Sequence, residues 1–193
     1  MAIQSKVENI PWFAKLETLQ EKFENTEPLD YSEIEKELDN YIIALDPDPS
    51  SVGLDKLNAK IAAINSYMER IVTIVMNAIA NENKFNSLFN DTKMFYEKYL
   101  RIQLRSEDVA ALSNQNLRQA AAEEKIEDIG KLKFFAEKAL NDAKAHTEIC
   151  REKLKGFEKT DKNISRQLTV IQTQIEIGEI QRKVIGKKYD DNF

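Results

Sequence analysis

A regular stripe of apolar residues runs through residues 54–104. Steps of three and four residues from Leu54 to Tyr99 visit fourteen positions, of which twelve are apolar or aromatic. This spacing places the side chains on one face of a helix and is typical of coiled coils and helical bundles. Other apolar residues lie off the stripe and predict that more than one partner helix packs here. These are Val72, Ile74, Ile79, Leu88 and Phe95.

A second long helix is predicted from about residue 115 to 185. Polar residues separate the two helices, and Ser106 and the run 113–116 are candidate helix starts, so we place a chain reversal between 104 and 114. Gly130 and Gly156 are costly inside a helix and are candidate kinks. The predicted seam of the second helix comprises Ile129, Leu132, Ala136, Ala139, Ala143, His146, Cys150, Phe157, Ile164 and Ile171.

The first 45 residues predict two short helices. The first has a possible capping box at Ser5 and Glu8 and ends before a break at 25–28. The second opens at Asp30 and carries its apolar residues at 4-4-3 spacing. A segment rich in Pro and Ser at 46–53 reads as a linker. The apolar residues of the second helix are Ile34, Leu38, Ile42 and Leu45.

Composition supports an all-α fold. The chain has 193 residues with only five Gly and four Pro, and all four prolines fall before residue 50. Sheet proteins need turn residues far more often, which argues against a sandwich, a barrel or a Rossmann-type fold. We predict a long antiparallel helical hairpin over 54–193, preceded by an acidic arm and linker over 1–53. The surplus apolar surface of such a hairpin predicts a homo-oligomer that assembles through the helical seam.

Charge is unevenly distributed along the chain. The net charge is −5, but residues 1–60 hold six basic and thirteen acidic residues, whereas 61–193 hold 22 and 20. The acidity therefore belongs to the arm, and the hairpin is slightly basic. The N-terminal sequence lacks the pattern of a signal peptide, and the longest apolar stretch is too short to span a bilayer. These features predict a soluble protein of the cytoplasm, the host cytoplasm if a phage encodes it.

The residues that carry most enzyme chemistry are scarce. His146 and Cys150 lie four apart on one helix face, but a metal site would need two more ligands and a nucleophile pair would need an orienting group. Both fall on the predicted seam, so burial in the core is the favoured interpretation. The chain also lacks a glycine-rich phosphate loop and a Gly-x-Ser-x-Gly elbow. We expect no catalytic residue, metal, cofactor or small-molecule substrate.

Basic residues form the more informative set. Lys98, Arg101 and Arg105 share one helix face near Tyr96 and Tyr99, and such an arrangement can hold single-stranded DNA through phosphate contacts and base stacking. Two alternatives stay open. The cations can be the solvated exterior of a helical bundle, with both tyrosines in the core. A membrane-curving helical module would need a dominant basic face, which the net charge of the hairpin does not favour, so membrane contact is not expected.

The layout resembles that of UvsY-type recombination mediators of tailed phages. The resemblance rests on the order of the predicted elements, which is a long helix, a polar reversal and a second long helix. Within the second helix it rests on the segments Ser-Asn-Gln-Asn-Leu-Arg-Gln-Ala at 113–120 and Ile-Ser-Arg-Gln-Leu at 164–168. The resemblance covers about residues 54–170. It implies a ring-forming helical hairpin that binds single-stranded DNA and helps to load a recombinase, with Arg118 and Arg166 as candidate DNA contacts. The acidic arm departs from what a DNA-wrapping protein would be expected to carry.

The sequence therefore predicts a non-enzymatic, oligomeric recombination mediator of phage type. The alternative is a structural coiled-coil protein, such as a virion, scaffolding or filament-forming component, with no nucleic-acid role. The predicted nucleic-acid contacts are Lys93, Lys98, Arg101, Arg105, Arg118 and Arg166.

Overall fold

The computed structural model describes residues 12–45 and 53–190, with side chains up to Gly178. Within these ranges the chain forms six helices and no strand, which confirms the all-α class. The possible capping box at Ser5 and Glu8 and most of the predicted linker lie outside the described residues. The helices are α1 (Phe13–Glu24), α2 (Tyr31–Asp39), α3 (Leu54–Leu104), α4 (Glu107–Ala110), α5 (Gln115–Glu124) and α6 (Glu127–Asp190).

The chain divides into two compact units, and each contains part of both long helices. Unit 1 comprises the described residues up to Asp30 together with Met76–Glu148. Unit 2 comprises Tyr31–Val75, apart from 46–52, and the chain from Ile149 onward.

The core of unit 1 is built by antiparallel packing of α3 on α6. Phe85 and Leu88 of α3 cluster with Ala136, Leu140 and Ala143 of α6. Further along α3, Phe95 clusters with the earlier α6 residues Ile129 and Leu132. Residue numbers rise along one helix as they fall along the other, so the two run in opposite directions. This packing confirms the predicted helical hairpin.

Helix α1 packs against this hairpin and supplies a third element to its core. Trp12, Leu16 and Leu19 are buried in the cluster that contains Phe95. Among the apolar residues that lie off the predicted stripe, Phe95 therefore has a packing partner beyond α6, and in unit 1 that partner is α1. The N-terminal arm contributes to the core as well as to the net negative charge.

The reversal between the long helices is itself structured. Helix α3 ends at Leu104, a single turn of helix forms α4, and α5 begins at Gln115. The side chain of Asn114 caps α5 by accepting a hydrogen bond from the amide of Asn116 at 2.8 Å. Ser106 precedes α4 in an extended conformation, but its hydroxyl donates to the carbonyl of Gln103 and forms no N-cap bond. A second break at 125–126, which the sequence analysis did not predict, separates α5 from α6.

In unit 2, α2 is shorter than its apolar spacing predicts. The prediction that the helix carries Ile42 and Leu45 is wrong, because α2 ends at Asp39 and those side chains are 70% and 43% exposed. The helix ends in a turn in which the amide of Tyr41 donates a hydrogen bond to the carbonyl of Leu38. The ring of Tyr41 then packs on that of Tyr67, with 5.0 Å between centroids.

Two ion-pair contacts join α2 to the long helices within unit 2. Arg70 of α3 donates two hydrogen bonds to the carboxylate of Glu37, at 2.6 and 3.0 Å. This contact lowers the pKa of Glu37, and the hydroxyl of Tyr41 contributes in the same direction. Lys153 of α6 contacts Asp39 at 2.8 Å. Acidic residues of the arm are therefore engaged with basic residues of the hairpin.

The seam of α6 follows the prediction closely. Of its ten predicted members, all but Ala139 are buried, and four of them recur every seven residues from Cys150 to Ile171. Helix α6 continues without a break through Gly130 and Gly156. The predicted end near residue 185 falls short of the observed end at Asp190.

Candidate nucleic-acid interface

The structure places Lys98 and Arg101 on α3 in unit 1, and Arg105 in the turn directly after the last residue of that helix, Leu104. Lys98, Arg101 and Arg105 are separated by three and four residues, and each is exposed. We call these three residues the α3 row. The side chain of Arg101 is 74% exposed, and its guanidinium lies 3.8 Å from the carboxylate of Glu97, a loose surface contact. The α3 row therefore presents its three cations to solvent at the C-terminal end of α3.

Lys93 does not join the α3 row. It is exposed, but it precedes Lys98 by five residues, which places it about 140° away around the helix. A strand that contacts Lys98 and Arg101 along the helix would not reach Lys93 on the same face. The row thus contains three of the four cations predicted in this stretch.

The two tyrosines near the α3 row belong to the core. Tyr96 and Tyr99 are partly buried and pack against the cluster of Trp12, Phe95 and Ile129. Trp12 meets the ring of Tyr99 edge-on at 6.3 Å, and the ammonium of Lys133 lies 4.9 Å from the centroid of Tyr96. The pKa of Tyr96 is raised by burial of its side chain, by the negative charge of the Glu123 carboxylate and by a hydrogen bond to that carboxylate. The row thus offers phosphate contacts more readily than stacking surfaces.

Arg118 lies in the reversal of unit 1, where it has a structural contact. It is exposed, and its Nε donates to the carbonyl of Leu112 at 2.5 Å. Nearby, Lys125 bonds to the carboxylate of Asp108 and lowers the pKa of that group to about 2. Both cations therefore help to fix the turn between the two long helices.

Arg166 belongs to a longer basic row in unit 2 that the sequence analysis did not single out as a site. Successive steps of 4, 4, 3 and 4 residues lead along α6 from Arg151 to Arg166, and the five side chains fall within about 80° of one another around the helix. All five are exposed. The 4-4-3-4 spacing of these basic residues was the sequence signal that could have identified this row. We call this set the α6 stripe; it consists of Arg151, Lys155, Lys159, Lys162 and Arg166.

The favoured interpretation of His146 and Cys150 as core residues agrees with their burial. His146 in unit 1 is 3% exposed, and Cys150 in unit 2 is fully buried. Burial raises the pKa of the Cys150 thiol, and the carboxylate of Glu35 adds to the effect. A raised pKa is the opposite of what a nucleophilic or metal-binding thiolate needs. In the described part of the chain, no group of three or more His, Cys, Asp or Glu side chains is arranged to hold a metal ion.

An exposed aromatic pair lies on α6 in unit 1. Phe134 and Phe135 of α6 are 63% and 52% exposed, and their rings meet edge-on at 5.8 Å. They border a groove of about 350 Å³ whose other walls include Tyr96 and Gly130. Neighbouring exposed aromatic side chains of this size are candidate protein contacts.

A search of the described helices finds none with the length and apolarity required to cross a bilayer. Comparison with known proteins gives no assignment: no family model, no curated protein and no solved structure matches this chain.

Proposed function

We propose that this protein binds single-stranded DNA without catalysing a reaction and acts as a recombination mediator that assists recombinase loading. The observation that carries the proposal is the α3 row, in which Lys98 and Arg101 at the end of α3 and Arg105 in the turn directly after it are all exposed to solvent. Cations spaced along one helix face can contact successive phosphates of a flexible strand. The proposal includes the cytoplasm as the place of action and a homo-oligomer as the active form, since repetition of a short row around a ring lengthens the strand that can be bound.

Fluorescence anisotropy with labelled oligo-dT of 30 nucleotides tests the proposal. Replacement of the three residues of the α3 row by Gln removes three phosphate contacts. At about 0.7 of a released counterion per contact, log K should fall by about 2 at 0.1 M salt, and the salt slope should fall by about 2.

A matched control removes the same charge from scattered positions. Lys15, Lys84 and Lys138 are exposed lysines of unit 1 that share no helix face, and their triple Gln variant should bind as the wild type does. Both variants should keep the helicity and the mass of the wild type. Absence of oligo-dT binding by the wild type at 50 mM salt refutes the proposal.

A structural role in assembly is the second candidate, and the exposure of Phe134 and Phe135 favours it. In that case contact between copies, rather than DNA, would cover the aromatic pair. Light scattering separates the two roles, since the monomer mass is 22.3 kDa. Assembly that is lost in the Phe134→Ser/Phe135→Ser variant, in a protein that does not bind oligo-dT, would favour the structural role.

A further inference from the structure

We infer that the α6 stripe of unit 2 is a binding site for the sugar-phosphate backbone of single-stranded DNA, separate from the α3 row. This inference rests on the proposed function and extends it to a site of which the predicted nucleic-acid contacts include only Arg166. The stripe contains five exposed cations in a line about 22 Å long, against three in the α3 row.

The electrostatics of the stripe favour a polyanionic ligand. Lys155 has a carboxylate partner, Glu152, at 2.6 Å. Among the residues that the structure describes, however, none forms an ion pair with Lys162 or Arg166, and the charge of Lys159 acts on the carboxylate of Glu152 only at longer range than an ion pair. Like charges four residues apart repel along a helix, as Lys155 and Lys159 or Lys162 and Arg166 do here. Bound phosphates would relieve that repulsion and release counterions to solvent.

The ion pair between α2 and α6 lies away from the stripe. The contact that α2 makes with α6 uses Lys153, which pairs with Asp39. Lys153 lies about 160° from Arg151 around α6, on the side of the buried Cys150 and Phe157. The acidic arm therefore neutralises a cation on the inner side of α6, whereas the stripe faces the opposite way.

A lipid surface fits the stripe less well than a nucleic-acid strand does. Helices that lie in a bilayer surface combine basic residues with large apolar side chains that enter the acyl region. Residues 151–166 are described in full, and none of their large apolar side chains is strongly exposed. The face also presents no exposed aromatic ring, because Phe157 is buried. We therefore expect the stripe to contact phosphates, so that its affinity for a strand depends little on base sequence.

The test compares the Lys155→Gln/Lys159→Gln/Lys162→Gln variant with the wild type, the α3 row variant and the scattered control. Labelled oligo-dT of 30 nucleotides is the probe, at 50–200 mM salt. The stripe variant should lose about 100-fold in affinity at 0.1 M salt and about 2 in salt slope, as expected for three lost phosphate contacts. Oligo-dA should bind the wild type within threefold of oligo-dT. A variant with Arg at the same three positions should bind as the wild type does, which separates loss of charge from damage to the helix.

The outcomes distinguish the failure of this inference from that of the proposed function. If the wild type binds oligo-dT and the stripe variant binds equally well while the α3 row variant is impaired, the stripe is not a site and the proposed function stands. If the wild type binds no oligo-dT at 50 mM salt, both fail. Binding to phosphatidylserine vesicles that depends on the stripe, without binding to oligo-dT, would make it a lipid-binding surface and overturn the inference.

Discussion

The packing of α1 in unit 1 can be tested through Leu19. This side chain is fully buried, and its cluster combines Leu16 of α1 and Trp12, directly before α1, with Phe95 of α3 and Ile129 of α6. Leu19→Ala removes apolar atoms from a site that both long helices enclose. Substitutions of this kind cost 2–5 kcal/mol, from lost burial together with the cavity left behind, so we expect a loss of about 3 kcal/mol.

Trp12 is the only tryptophan in the chain and lies in the same cluster, 9% exposed, so its emission reports whether α1 is packed. In urea denaturation followed by this emission, a loss of about 3 kcal/mol with an m-value of about 2 kcal/mol per molar shifts the midpoint down by about 1.5 M. The control, Leu117→Ala, makes the same change in unit 1 at a side chain that is 55% exposed. That variant should stay within about 0.5 kcal/mol of the wild type.

The result that would refute this reasoning is a Leu19→Ala midpoint equal to that of Leu117→Ala. Native emission typical of a solvent-exposed indole in the wild type would refute it as well. In either case α1 would not be part of the core of unit 1, and the partner of the apolar face around Phe95 would have to be another molecule.

Three further outcomes follow from single positions. Gly156→Ala should stabilise the protein by about 0.5–1 kcal/mol in urea denaturation, because Gly disfavours a helix interior and no neighbouring side chain lies within 4 Å of an added Cβ. Gly130→Ala should stabilise the protein in the same way, because its Cβ would stand at an ordinary contact distance, 3.6 Å, from a ring carbon of Tyr96. Destabilisation by either substitution would contradict this prediction. The pKa of Asp108 is lowered to about 2, first by its bond to Lys125, so the stabilisation from this carboxylate should be complete above pH 4 and should be lost as the pH falls towards 2. A ¹³C NMR titration should show Lys125→Met raising that pKa towards 3.8, and an unchanged value would show that the ion pair is not its cause. Cys150 should react slowly with a thiol reagent in the native protein and rapidly in guanidinium chloride, because it is buried and its pKa is raised; equal rates would show an accessible thiol.

The long helices were predictable because their signal is local. A buried residue in each heptad, such as Ile64, Ile71 and Ala78, marks both the helix and the face that it buries. The end of α2 was not predictable in this way. The spacing of Ile42 and Leu45 continues a helical pattern, yet the chain turns away after Asp39 and Tyr41 packs on Tyr67 of α3. Contacts distant in sequence override periodicity where a helix is short.

The candidate nucleic-acid contacts were likewise predictable only in part. Spacing alone predicted that Lys98, Arg101 and Arg105 share a helix face, but α3 ends at Leu104 and Arg105 lies in the turn after it. The same argument applied to α6 would have found the stripe. Spacing could not show that Arg118 bonds to the carbonyl of Leu112 or that Tyr96 packs into a core cluster. Those contacts depend on segments that meet only after the chain has reversed.

By itself, the sequence determined the helical class, the seams of the long helices and the position of the reversal, because each follows from the period of the α-helix and from where polar residues interrupt it. Only the tertiary structure decided what covers the apolar face around Phe95 and which cations have partners. Lys153 pairs with a carboxylate 114 positions away and Arg70 with one 33 positions away, whereas Lys159 and Arg166 stay exposed. The strength of a charge at a surface depends on its neighbours in space, and periodicity along one helix contains no information about them.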